Sequence, residues 1–535
     1  LFELSDWAYF PYNFKRATSD VLKMVGSQGD FWSILPSYLI KYWFVPLAAI
    51  GFVVVLVWGN KLIQKASPFT KPKHPIPVWK RVSIQSFILI VAAGVTLVGI
   101  RGGLQYIPIG LRNAVQVTDS RFVPIVLNTP FSIITTLTTP SLEPLHFMSD
   151  SDAEKEMPFT HHYFGKQFSK KNVVVLIIES GSKEFTALGG RKSFTPFLDS
   201  LMGHSLVCTQ AFANGQTSAE GIPAILASIP TLMDEAFTTS NYGTNQISAM
   251  PGLLRPLGYK SAFFHGGTNG TMSFDIFASA AEFNKYFGRK EYANEEDYDG
   301  AWGIWDEPFL QYSAKKISTL KPPFFASIFT LSSHPPYGLP DKYRHSLPSG
   351  PLEVQQCIAY TDLSIREFFQ SAAKMPWYDS TLFVITADHC SPKTSGGFYA
   401  KGLGQFAIPI IFYAPGDTTL QGYYNEPTQQ LDILPSVLQY LGYPYSFFAF
   451  GNSIFAKQEP RFVVTKSNGT YQWLEYGYLL RTKEQMSVAL YSYPTDSLDQ
   501  HNLLNFDRSR ADSSSWRLKA FIQRYHQVLI QNKMH

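Results

Sequence analysis

The sequence predicts an α/β fold: a doubly wound mixed sheet with a small C-terminal antiparallel sheet, preceded by transmembrane helices. Three observations carry this reading. Two long apolar runs lie within residues 38–100, short continuous β-branched and aromatic runs alternate with helical segments over residues 172–441, and short alternating strands follow over 461–493. Continuous apolar runs suit strands buried on both faces, and their alternation with helices is the pattern of a layered, largely parallel sheet.

Tyr38–Trp58 has 21 residues and one charge, Lys41, while Val82–Ile100 has 19 residues and none, with Arg81 before it and Arg101 after it. At ~1.5 Å per residue, either run crosses a hydrocarbon layer of ~30 Å. Between them, Asn60–Arg81 holds Lys61, Lys65, Lys71, Lys73, Lys80 and Arg81 and no acidic residue. The positive-inside rule places that loop in the cytoplasm, so everything after Arg101 is expected on the extracytoplasmic side of the inner or plasma membrane. The chain opens on Leu1 rather than Met, and this topology predicts an odd number of further spans before it. Leu104–Pro144, punctuated by Pro108, Pro124, Pro130 and Pro140, reads as a segment lying on the bilayer surface. The expected division is a partial transmembrane domain over 1–101, a juxtamembrane linker over 102–168 and an extracytoplasmic catalytic domain over 169–535.

Composition excludes several classes. Across 535 residues, 16% are charged, 45% apolar and 15% aromatic, too few charges and too many aromatics for a disordered chain. The net charge of +4 is spread without any long run of like charge, which gives no support to a nucleic-acid partner. Cys208, Cys357 and Cys390 form no CxxC pair and are too few for a disulfide scaffold.

From Phe168 onward, VVVLII (173–178), FFASIFTL (324–331), TLFVITA (381–387) and IPIIFY (408–413) read as strands, with helical signals over Thr361–Met375 and Gln430–Leu441. Arg461–Tyr493, around Ser467-Asn468-Gly469, reads as the antiparallel appendage. In doubly wound sheets the ligand crevice lies past the carboxyl ends of the strands. VVVLII leads into Glu179-Ser180, TLFVITA into Asp388-His389, FFASIFTL into Ser332-Ser333-His334, and KSAFF (260–264) into His265-Gly266-Gly267. An acid or a histidine at one strand end is usually structural; the coincidence of four such ends strengthens the case for a site. Divalent cations take carboxylate oxygen and imidazole nitrogen together, which makes Glu179, Asp388 and His389 candidate ligands.

The segment Gly215-Gln216-Thr217-Ser218-Ala219-Glu220-Gly221 precedes a helical stretch at Ile222–Ala227. Thr217-x-x-Glu220 is a capping box, and Thr217 is also a candidate nucleophile. The two readings coexist, because a hydroxyl at a helix N-terminus faces unpaired N–H donors and the positive end of the dipole, where a phosphoryl group is stabilised.

Taken in order, Glu179 after the first strand, GQTSAEG, FFHGG, LSSHPPY and TADH resemble the lipoteichoic acid synthase branch of the alkaline phosphatase and sulfatase superfamily, with phosphoethanolamine transferases as close relatives. LYSYPTDSLDQHNLLN (490–505) is similar to the closing segment of many sulfatases. The resemblance implies a membrane-anchored phosphotransferase in which Glu179, Thr217, Asp388 and His389 bind one divalent ion, manganese first and magnesium or zinc as alternatives. It further implies that Thr217 attacks a phospholipid headgroup and becomes a phosphothreonine, and that His265 and His334 hold the phosphoryl group or shuttle protons. The headgroup, of phosphoglycerol or phosphoethanolamine type, passes to an envelope glycan or glycolipid. Two departures stand out. Met272 and Phe274 occupy the places where lipoteichoic acid synthases carry a Trp and an Arg against glycerol phosphate, and Cys390 follows the Asp-His pair. Cys390-Ser391-Pro392-Lys393-Thr394 comes near the C-x-P-x-R context of sulfatases but lacks its Arg. The alternatives are a sulfatase-type hydrolase acting on phosphate or sulfate esters, and a non-catalytic membrane protein on this scaffold.

Overall fold

The computed structural model describes residues 141–535 apart from 458, 484 and 494, and before them 42–66, 77–105, 108–118, 122–137 and isolated residues from 6 to 40. By its internal contacts the chain forms two compact units, Leu1–Ser141 and Leu142–His535.

In the first unit, helix α1 spans Phe44–Ala66 and helix α2 spans Val78–Arg101. Their apolar stretches, Phe44–Lys65 and Val78–Arg101, are long and apolar enough to cross a membrane, and neither is buried within the protein. At ~1.5 Å per residue they measure ~33 Å and ~36 Å. Helices apolar on every side need an apolar surrounding, which water does not supply. Their bounds differ from the stretches read from the sequence: α1 begins only at Phe44, with Tyr42 and Trp43 in a turn, and both helices take in charged residues at the ends that face their connection. α1 runs eight residues past Trp58 and absorbs Lys61 and Lys65, while α2 starts at Val78 and absorbs Lys80 and Arg81, so the polar connection is shorter than Asn60–Arg81. A few flanking polar residues cost little once the backbone hydrogen bonds of a helix are propagating. Tyr38, Lys41, Lys71 and Lys73 lie outside the described residues. Later in this unit, short helices at Val123–Val126 and Thr129–Thr136 carry Pro124 and Pro130 in their first turns, where a missing N–H costs nothing.

The second unit is built on eight strands: β1 (Asn172–Ile178), β2 (Leu206–Phe212), β3 (Lys260–His265), β4 (Lys285–Phe287), β5 (Phe324–Phe329), β6 (Thr381–Ala387), β7 (Ile410–Tyr413) and β8 (Gly422–Gln429). Their order is β4-β3-β5-β1-β6-β7-β2-β8. Pairings from β4 through β6 are parallel, β7 is antiparallel to both of its neighbours, and β2 and β8 pair in parallel. The sheet is therefore mixed, as expected.

Central strand β1 explains the unbroken VVVLII run. Val173, Val175 and Ile177 enter the core on one face, and Val174, Leu176 and Ile178 enter the core on the other. Each such side chain contributes about 1.5–3 kcal/mol by leaving water. Helices α3 (Pro196–Met202), α4 (Ser218–Ala227), α5 (Asp306–Ile317), α6 (Glu353–Ala372) and α7 (Ile433–Leu441) cover the faces. A four-stranded antiparallel sheet follows: β9 (Phe462–Ser467), β10 (Thr470–Glu475), β11 (Tyr478–Lys483) and β12 (Met486–Ser492). The closing helix α8, Arg508–Ile530, packs Phe521 against Phe462 and Trp473 of that sheet. β2, β4, β8 and α8 have no counterpart in the sequence reading. β8 is exposed or half-buried over its first five residues, is buried only from Pro427 on, and accepts that proline because it is an edge strand of the large sheet.

Candidate active site

Four strands of the central sheet deliver their carboxyl ends to one edge, and three of the predicted side chains meet there. Glu179 follows β1, and Asp388 and His389 follow the neighbouring β6. Each offers one ligand atom, all within 4.8 Å of one another, and all three residues are buried. Among the described residues no other group of three or more His, Cys, Asp or Glu side chains is so arranged.

The surroundings fix each ligand atom. Ser180, held at φ +54°, turns the chain after Glu179, so that its N–H donates to Asp388 Oδ1 at 2.9 Å and its hydroxyl to Glu179 Oε1 at 2.7 Å. His389 N–H also donates to Asp388 Oδ1, at 2.7 Å. The other oxygen, Asp388 Oδ2, is buried with no hydrogen-bond partner. His389 Nδ1 lies 2.8 Å from the Cys390 carbonyl and must carry the hydrogen of that bond, which turns Nε2 toward Asp388 Oδ2 at 3.2 Å and Glu179 Oε1 at 3.6 Å. Burial first, and then the charge of Glu179, push the Asp388 carboxyl well above the usual carboxylate range. For His389 burial opposes the charged form, but Asp388 and Glu179 outweigh it and raise the ring's affinity for a proton. Buried carboxylate oxygens and an imidazole lone pair aimed at one point repel unless a positive charge sits among them. The residues fit a divalent cation.

The N-terminus of α4 packs directly on this cluster. Thr217 is the N-cap, with φ −136° and ψ 156°, and its side chain makes no cap hydrogen bond. Glu220 Oε2 reaches back to accept from the N–H of Gln216 at 2.7 Å and of Thr217 at 2.9 Å, so the acidic half of the predicted box forms while the Thr217 side chain stays exposed. Gly221 brings the helix this close, since a Cβ there would stand 2.1 Å from the Asp388 carbonyl oxygen. Ser218, absent from the predicted site, lies inside it. Its hydroxyl donates to Glu179 Oε2 at 3.1 Å and lies 3.4 Å from His389 Nε2. A serine next to a candidate nucleophile was the available signal, and helical phase decides that it points inward.

The two other histidines occupy different surroundings. His265, at the end of β3, is buried, stacked on Phe329 at 5.2 Å, edge-on to Phe274 at 5.0 Å and 3.2 Å from the Tyr286 hydroxyl. Burial lowers its pKa to about 3, so the ring is neutral under ordinary conditions. His334 is half-buried in the loop after β5, its Nδ1 2.8 Å from the Pro335 carbonyl and its ring centroid 4.0 Å from that of Trp302. Cys390 Sγ donates to the Ala407 carbonyl at 3.0 Å, and burial pushes its thiol up. It sits beside the candidate cation ligands, whereas the helix N-terminus carries Thr217 and Ser218, so no cysteine occupies the nucleophile's place.

A mixed sheet of this order with metal-type donors at its carboxyl edge is the architecture of the alkaline phosphatase superfamily. Solved structures agree on the fold. A protein of that superfamily from Vibrio parahaemolyticus superposes with a TM-score of 0.60 at 20% identity over 78% of this chain and 96% of its own. A lipoteichoic acid synthase from Listeria monocytogenes gives 0.59 at 22% identity over 71% and 98%. The sulfatase family profile matches residues 171–443; the chain belongs to the sulfatase family. Among curated relatives, lipoteichoic acid synthase 2 of Bacillus subtilis is 27% identical over 338 residues, 58% of this chain and 50% of the relative. Lipoteichoic acid synthase of Staphylococcus aureus is 25% identical over 374 residues, 62% of this chain and 55% of the relative. The chain thus spans about half the length of the curated relatives it matches.

Proposed function

We propose that this protein is a membrane-anchored, divalent-cation-dependent phosphotransferase that moves a phospholipid headgroup to an envelope glycan or glycolipid through a phosphothreonine at Thr217. One observation carries the reading: two buried carboxylates and an imidazole converge at the N-terminus of a ten-residue helix whose exposed N-cap is a threonine. The similarity to lipoteichoic acid synthases supports a transferase over a sulfatase-type hydrolase. The two apolar helices support a site working at the membrane, and the basic residues bracketing their connection support an extracytoplasmic catalytic unit.

Glu179, Asp388 and His389 would hold the cation, with the Thr217 hydroxyl as the fourth expected donor; an oxygen-rich set of this kind suits manganese. Bound there, the cation supplies charge neutralisation and acidifies a neighbouring hydroxyl. Thr217 Oγ1 attacks the phosphorus of the phospholipid, a bond from Thr217 to phosphorus forms and the bond from phosphorus to the diacylglycerol oxygen breaks. Diacylglycerol leaves as the alcohol, carrying the proton that Thr217 gives up. An acceptor hydroxyl then attacks the phosphothreonine, and its proton returns to Thr217. The N–H groups of Ser218 and Ala219 at the start of α4 would take the transferred phosphoryl oxygens. His265, at the end of β3, and His334, in the loop after β5, would hold the phosphoryl group.

Incubation with manganese and a headgroup-labelled phospholipid, followed by phosphopeptide mass spectrometry, tests the proposal. The expected label falls on Thr217 and disappears in Thr217→Ala together with turnover. Wild-type turnover in Thr217→Ala would overturn it.

A further inference from the structure

Three loops meet beside the candidate site, and one contributes an aromatic ring that no motif marks. Asp299 Oδ1 accepts the N–H groups of Ala301, Trp302 and Gly303 at 2.7, 2.8 and 3.1 Å, tying 299–303 into a tight turn with Trp302 at its tip. Gly303 then pairs with Gly267, and Ile304 N–H donates to the Gly266 carbonyl at 3.1 Å, which docks the turn on the loop that follows His265. A Cβ at position 303 would lie 2.6 Å from that carbonyl oxygen, so the close approach needs glycine. On its other side Trp302 meets His334, whose preceding residue Ser333 donates its hydroxyl to the Glu179 carbonyl. Trp302 is thereby fixed against both loops that carry the predicted phosphoryl-binding histidines.

Two ring nitrogens of this corner already share one acceptor. Trp302 Nε1 donates to the Pro335 carbonyl at 2.7 Å, and His334 Nδ1 binds the same oxygen at 2.8 Å. Met272 and Phe274 offer no donor either, and Phe274 is buried against His265 and Phe329. The indole, its own N–H turned away to the Pro335 carbonyl, offers a polyol hydroxyl no partner, whereas its π face suits a compact ammonium.

We propose that Trp302 is a specificity-determining residue that selects a phospholipid headgroup ending in an ammonium over one ending in glycerol. This rests on the phosphotransferase reading for the identity of the donor, but its test does not need turnover. Manganese-loaded full-length protein in detergent is titrated calorimetrically with O-phosphoethanolamine and with glycerol 1-phosphate. The expected preference for the ammonium compound is about five- to tenfold, the range of a partly exposed cation–π contact. It should survive in Trp302→Phe, which keeps a ring, and vanish in Trp302→Leu. If Leu at 302 unfolds the protein, Trp302→Met serves the same comparison. Equal binding or a glycerol preference in the wild type, no binding of either compound, or an unchanged preference without the ring would overturn the assignment. Failure of the transferase reading would instead leave this preference intact while Thr217 stays unlabelled.

Discussion

Gly221→Ala asks whether the contact between α4 and the strand-end carboxylate positions the site. The added Cβ would sit 2.1 Å from Asp388 O, 2.8 Å from its carbonyl carbon and 3.0 Å from its Cα, all backbone atoms. Reaching even 3.0 Å requires about 0.9 Å of separation, and backbone on both sides leaves no flexible side chain to absorb it. Either the N-terminus of α4 moves, taking Thr217 and Ser218 with it, or Asp388 moves. A displacement near 1 Å costs about 100-fold in rate when reacting groups must be aligned, and overpacking of this kind costs about 1–3 kcal/mol of stability. Helix propensity alone predicts the opposite, a gain of about 1 kcal/mol for Gly to Ala in a helix interior, so the sign of the result decides. The assay pairs turnover of a water-soluble phosphodiester with a thermal melt. Unchanged turnover together with a raised melting temperature would refute the reasoning.

Further outcomes are expected at the same site and in the core. Asp388→Asn should weaken manganese binding by at least about 100-fold in calorimetry, since losing a charged donor exceeds the 10- to 100-fold cost of losing an outer hydrogen bond. Ser218→Ala, which removes the hydroxyl on Glu179 Oε2, should weaken it by about 10-fold. Because burial and Glu179 hold Asp388 toward its protonated form, a cation must displace a proton there; affinity should rise with pH and proton release should appear in buffers of different ionisation enthalpy. Burial raises Asp362 to about 7 and Asp306 to about 6, while each titrates near 3.9 in the unfolded chain. The folded state then binds more protons between about pH 4 and pH 7, so their contribution is complete at the acid end of that range and lost as pH rises, by up to about 1.4 kcal/mol per pH unit for each group. Chemical denaturation across that range should show a shallower slope in Asp362→Asn.

Much of the fold was legible because burial leaves a mark on composition. β1, β5 and β6 sit in the middle of the sheet, must be apolar on both faces, and therefore stand out as unbroken runs. β8 and β4 lie at the edges, where partial exposure admits Tyr423, Asn425, Glu426 and Lys285 and erases that mark. The closing helix α8 carries Arg508, Arg510 and Asp512 on its first turns and reads as a polar tail until Phe521, Tyr525 and Leu529 are seen against the appendage and core. The spans were recognisable from hydropathy but not bounded by it, since Lys61, Lys65, Lys80 and Arg81 continue the helices.

At the site, sequence alone determined the chemical vocabulary: two acids, three histidines and a threonine, each just past a strand or before a helix, because strand carboxyl ends and helix N-termini are local features. Only the tertiary structure decided which of them share a point in space. It joined Glu179 to Asp388 and His389 through the parallel pairing of β1 with β6, residues more than two hundred positions apart. It sank Ser218 into the cluster and left Thr217 at the surface, a matter of helical phase set by the approach of Gly221 to Asp388. It also brought Trp302 to His334 through a turn that no periodicity announces. Distances between strand ends depend on strand order and register, and those are fixed by the packing of the whole sheet rather than by any window of residues.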